Sequence, residues 1–135
     1  MKRTWLNFSF GAFSTIGILA CALPAYSHHS FAAYYVEDRT ISIEGDLVEL
    51  DYINPHAWIH IAAPDKSGRV QRVSAEWSNP GRLNQQGIAS DTLKPGDHLI
   101  LTGSPARDPD VYKMHVKRID RPSDGWKWIG RGQTR

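Results

Sequence analysis

The sequence predicts an all-β domain with a minor helical part. The expected architecture is a small five- to six-stranded OB-like β-barrel with one short helix, preceded by a signal peptide. Three observations predict it. Five short segments carry apolar residues at a period of two or in β-branched runs, which is the strand signature. Gly-, Pro- and Asn-containing turns separate them. One helical pattern falls between the third and fourth strands, the place an OB-type barrel keeps for its helix. A plain antiparallel sandwich is the structural alternative.

The elements follow in order. Thr40 to Ile53 is the first strand, with Ile41, Ile43, Leu47, Val48 and Leu50, and with Gly45 as an expected bulge or sharp coil. Asn54-Pro55 is a turn. The second strand, Ala57 to Ala63, turns Ala57, Ile59, Ile61 and Ala63 one way and His56, Trp58 and His60 the other. Asp65-Lys66-Ser67-Gly68 makes a hairpin loop into a third strand, about Arg69 to Trp77, with Val73, Ala75 and Trp77 on one face. Asn79 as N-cap, Pro80 at the first helical position and Gly87 as the stop frame a helix around Arg82 to Gly87, anchored by Leu83. Leu93 to Asp97 turns into a fourth strand, His98 to Gly103, and a loop over 104–110 leads to a fifth, about Tyr112 to Ile119, with Met114 and Val116 on one face. From residue 121 to 135 the chain reads as a flexible basic tail bearing Trp126 and Trp128.

Composition narrows the function classes. The chain has 135 residues, 41% hydrophobic and 22% charged, which fits one globular domain and excludes bulk disorder. Residues 1–27 read as a secretory signal: Lys2 and Arg3, an uncharged apolar run from about Trp5 to Ala22, Pro24, and Ala25-Tyr26-Ser27 before the cut. A transmembrane anchor is the alternative, but Asn7, Ser9, Ser14 and Thr15 dilute the run. Ile18-Leu19-Ala20-Cys21 loosely matches a lipoprotein box, with Cys21 lipidated. Cleavage after Ser27 leaves an N-terminal arm over 28–39 and a barrel over 40–120. It also removes two of the 16 basic residues and the one cysteine, leaving 14 basic and 14 acidic residues. A neutral, exported, cysteine-free domain argues against nucleic acid as partner and against stable membrane insertion. The expected location is the periplasm.

Several motifs together resemble a family of small exported bacterial proteins catalogued only as a domain of unknown function. They are His28-His29-Ser30-Phe31-Ala32-Ala33, Gly45 with apolar neighbours, Asn54-Pro55-His56-Ala57-Trp58-Ile59, Leu93-Lys94-Pro95-Gly96-Asp97 and Gly103-Ser104-Pro105-Ala106-Arg107-Asp108. The resemblance spans about residues 28–120. It implies a periplasmic β-rich domain and carries no activity.

The residues themselves suggest a metal site. With His28 as the first residue, its α-amine and imidazole can chelate one Cu(II) ion, which tops the divalent affinity order for nitrogen ligands. A further imidazole from His29, His56 or His60 would complete the set, with Glu76 as an oxygen ligand. The ligands must be deprotonated, so binding weakens below roughly pH 6. Cuts after Tyr26 or Ala25 would instead put a histidine third and make a square-planar copper or nickel site; lipidation at Cys21 would abolish all of these. The bland alternative is a solvated His28-His29 stub that docks Phe31 against the barrel, with His56 and His60 in ordinary hydrogen bonds. A rival function is a metal-free module for an envelope protein or small ligand, using Trp58 and Asn54 on the outer face of the second strand. No nucleophile elbow, phosphate loop or His-Glu-x-x-His helix is present, so a non-enzymatic protein is expected.

Overall fold

A computed structural model describes residues 31–130. The order is α1 (Phe31–Tyr34), β1 (Ile41–Asp51), β2 (Trp58–Pro64), β3 (Val70–Glu76), α2 (Pro80–Gln85), β4 (His98–Pro105), β5 (Lys113–Arg121) and β6 (Trp126–Ile129). The sheet runs β3-β2-β1-β4-β5-β6, and a further pairing of β3 with β5 closes the first five strands into a barrel. That closing pair is parallel and every other pair is antiparallel, which is the OB order with α2 between β3 and β4. The expected barrel is therefore the fold, and the sandwich is not.

The alternation places the core. Ala57, Ile59, Ile61, Val73, Ala75, Trp77, Leu99, Leu101, Met114, Val116 and Ile119 all point inward and are buried. Their outward neighbours, His56, Trp58, His60, Glu76 and His115, are left on the barrel wall. α2 caps one end of the core through the buried Leu83, and the Asn79 side chain accepts from the Gly81 and Arg82 amides as the predicted cap.

Three expectations need correction. The tail is not loose over 126–129: it forms β6 along β5, and Trp128 is buried edge-on against Trp77 at 5.4 Å, its indole N–H donating to Gln86 Oε1 at 2.9 Å. Two tryptophans two residues apart put one on the core, and that burial outweighs the Pro, Ser and Gly around them. Gly45 is not the bulge, which lies between Leu47 and Glu49. Gly45 instead lets β2 pass close by, since a Cβ there would run into the Ala62 carbonyl oxygen. One short helix was expected, and there are two among the described residues: α1, in the N-terminal arm, adds a helix of one turn. It is held by Val36 N–H on the Pro105 carbonyl at 2.9 Å and Arg107 Nε on the Ala32 carbonyl at 2.6 Å. The tail residues 131–135, the signal over 1–27, Cys21, His28 and His29 lie outside the described residues.

Candidate functional site

α1 lies against the outer wall where β3 meets β5. Glu76 and His115 are register partners across that seam, and His56 comes from the turn before β2. Phe31 joins them: its ring stacks on His115 at 3.9 Å with the planes 4° apart and lies 5.6 Å from the His56 ring. The docking of Phe31 weighed in the sequence is thus what the fold contains.

Beneath Phe31, three side chains form a chain of contacts. The Tyr35 hydroxyl donates to Glu76 Oε2 at 2.6 Å, and Glu76 Oε1 lies 2.6 Å from His56 Nδ1. Burial pushes the Tyr35 phenol well up, and the bond to Glu76 and the Glu76 charge push it further, so the hydroxyl stays a donor. The Glu76 carboxylate thus accepts from Tyr35 on one oxygen and stands in ion-pair contact with His56 on the other. His115 is pinned similarly, with Nδ1 3.2 Å from Glu37 Oε1, while Lys117 Nζ donates to the Glu37 carbonyl at 2.8 Å. Among the described residues, neither Nε2 has a hydrogen-bond partner.

Two clefts open on either side of Phe31, both also lined by Pro55 and His56. The larger, about 700 Å³, is walled by His115, Asn79, Arg82, Gln86 and Lys117. The smaller, about 470 Å³, is walled by Trp58, Tyr34, Val111 and Lys113, with Glu76 and Tyr35 at its base. Lys113 Nζ sits 5.7 Å from the centre of the Trp58 ring.

The sequence-predicted residues divide accordingly. His56 and Glu76 meet, but Glu76 stands behind His56 and is spent on it and on Tyr35. Expected as a metal ligand, Glu76 has one oxygen bonded by Tyr35 and the other against His56. His60 does not join them: its Nδ1 pairs with Ser74 Oγ at 2.9 Å and its Nε2 with Asp51 Oδ2 at 3.0 Å, so neither nitrogen is free for a metal. Asn54 borders neither cleft; its Oδ1 accepts from Asn79 Nδ2 at 3.1 Å and bolts the Asn-Pro turn to the α2 cap. Trp58 lines the smaller cleft. Among the described residues no three His, Cys, Asp or Glu side chains converge tightly enough to hold a metal ion. Tyr35, Glu37 and His115 went unread. Strand parity puts His115 outward between Met114 and Val116, but nothing local pairs it with Glu37.

A small closed β-barrel with carboxylate-anchored histidines under a one-turn helix defines the class of protein. The chain belongs to a family of unknown function (DUF6152), whose model matches residues 16–114. The match takes in Tyr35, His56 and Glu76 and stops one residue short of His115. No curated protein matches the chain.

Proposed function

We propose that the chain is an exported, periplasmic, non-enzymatic binding protein that takes a copper-type divalent ion at His56 Nε2. The observation that carries this reading is the His56–Glu76 contact at 2.6 Å beside Phe31. Metal-binding histidines commonly hold a carboxylate at the other ring nitrogen. His28 lies three residues before Phe31, and an extended chain spans about 3.5 Å per residue. A mature N-terminus at His28 therefore starts within about 11 Å of Phe31 on the same scale. The α-amine and imidazole of His28 would supply the first ligands and His56 the next, with His29 in reach. No nucleic acid and no inserted membrane segment enters this reading, and no described helix is long and apolar enough to cross a membrane.

The test is Cu(II) titration of exported protein whose mass shows His28 as the first residue. His28→Ala and His56→Ala should each weaken binding at least tenfold. Wild-type affinity in either variant removes that residue from the site, and lipidated Cys21 sinks the N-terminal chelate.

The smaller cleft favours a second reading, a metal-free module for a small ligand or envelope protein at Trp58. In that case Trp58→Ala abolishes partner capture, and copper is irrelevant to it.

A further inference from the structure

We propose that the larger cleft binds an organic oxyanion, a carboxylate or phosphate on an apolar body, with Arg82 and Lys117 taking the charge. The inference goes beyond the metal reading and does not rest on it.

The wall of this cleft holds more donors than acceptors. Lys117 carries three N–H groups on an ammonium whose side chain is only 12% exposed. One is donated to the Glu37 carbonyl at 2.8 Å, and the nearest carboxylate oxygen, Glu37 Oε2, stands off at 3.9 Å. Glu37 is also shared with His115, whose Nδ1 lies 3.2 Å from Oε1. A largely buried cation so loosely paired is costly, and an added oxyanion would relieve it. Arg82 is a second cation on the same wall. Among the described residues its guanidinium pairs with no carboxylate, unlike those of Arg72, Arg118 and Arg121. Its planar fork suits a carboxylate or phosphate.

The neutral groups lean the same way. Trp128 Nε1 can only donate, so the Gln86 oxygen must face it and the Gln86 NH₂ group is turned outward, bonding nothing among the described residues. The Trp77 indole N–H, on a side chain 1% exposed in the same wall, has no partner among the described residues. Buried donors are rarely left so. Asn79 offers little, since its oxygen caps α2 and its NH₂ is divided between Asn54 and Pro55. Two cations thus face one carboxylate, and the imidazoles of His56 and His115 add no negative charge. The smaller cleft reverses the balance, with Glu76 and Asp108 against Lys113, so an anion is directed to the larger one. At about 700 Å³ the larger cleft exceeds a bare ion, and Phe31 and Pro55 give it an apolar side for the ligand's body.

The test is a ¹H–¹⁵N titration of metal-free, full mature protein with benzoate, phenyl phosphate, benzamide and inorganic phosphate. Benzoate or phenyl phosphate should move the Trp77 indole and Gln86 side-chain amide signals, and the tighter of the two identifies the oxyanion. Benzamide, with the same ring and no charge, should bind at least tenfold more weakly, as should either anion to Arg82→Gln, the loss expected for a charged hydrogen bond. Lys117→Met should weaken the anions likewise and Lys117→Arg should restore them; if Lys117→Met does not fold, Arg82→Gln decides. Benzamide equal to benzoate, wild-type affinity in Arg82→Gln, shifts at Trp58 in place of Trp77, or no binding of either organic anion at about 10 mM overturns the site. Inorganic phosphate binding as tightly as phenyl phosphate overturns the organic class.

Discussion

At the scale of single residues, the imidazoles are set by the carboxylates around them, and His98 shows it away from the site. It bridges two strand neighbours, with Nδ1 2.7 Å from Asp46 Oδ1 and Nε2 2.8 Å from Glu44 Oε1. The bond to Glu44, then that to Asp46, raises its pKa above the ordinary histidine value. A folded-state pKa above the unfolded one means that protonated His98 stabilises the barrel. That contribution is fully present below the unfolded value of about 6.5 and is lost as the pH rises through the higher folded value. Urea midpoints of wild type and His98→Gln should differ at pH 5 and converge in mild alkali. The gap should shrink in about 1 M salt, because the pair is exposed and screening there acts over about 3 Å. A gap that widens with pH would contradict the bridge.

At the scale of elements, β6 is where the local reading gave way to packing. Pro122, Ser123 and Gly125 signal a turn, and the basic residues beyond signal a solvated tail. Trp126 and Trp128 signal a strand, since residues two apart share a face. The structure follows the tryptophans. Trp128→Ala removes a large buried ring, its edge contact with Trp77 and the bond to Gln86. It should cost about 3–5 kcal/mol in chemical denaturation, the range for deleting a buried aromatic. A loss under about 1 kcal/mol would mean that β6 adds nothing beyond an exposed surface change. α2 is the opposite case. Its start was legible at residue level, because Asn79 and Pro80 each do there what they do at any helix start. Its tie to Asn54 was not, because that contact joins two turns distant in sequence. The one-turn α1 was illegible for the same reason: four residues are too few for a periodic signal, and its anchors, Pro105 and Arg107, lie on the far side of the chain.

At the scale of the whole molecule, alternation, turns and the place of the helix were enough for an OB-like barrel, because inward positions repeat every two residues along each strand; the pair that closes it was not read. The site was only half legible. His56, Glu76 and Trp58 could be named, since parity turns His56 and Trp58 outward. Yet Tyr35, Glu37 and His115 reach them only through a fold that brings α1 and the segment after it, β3 and β5 to one place. That place is the seam, and the seam is short. Three residue pairs, Ser74–Lys113, Ala75–Met114 and Glu76–His115, close the cylinder, against four to seven in every other pairing. Three of those six residues, Lys113, Glu76 and His115, line the two clefts. The zipper that finishes the barrel is thus also the wall on which a ligand would press, and occupancy should be readable as protection. The Ser74 amide, donated to the Tyr112 carbonyl at 2.9 Å, should exchange its proton for deuterium early among the strand amides of the free protein. It should slow when the cleft is filled, while amides between β1 and β2 keep their rate. Equal slowing everywhere would mean that the ligand stabilises the whole fold alone; no slowing at Ser74 would mean that it binds elsewhere. The last stitch of this cylinder would then double as its gauge.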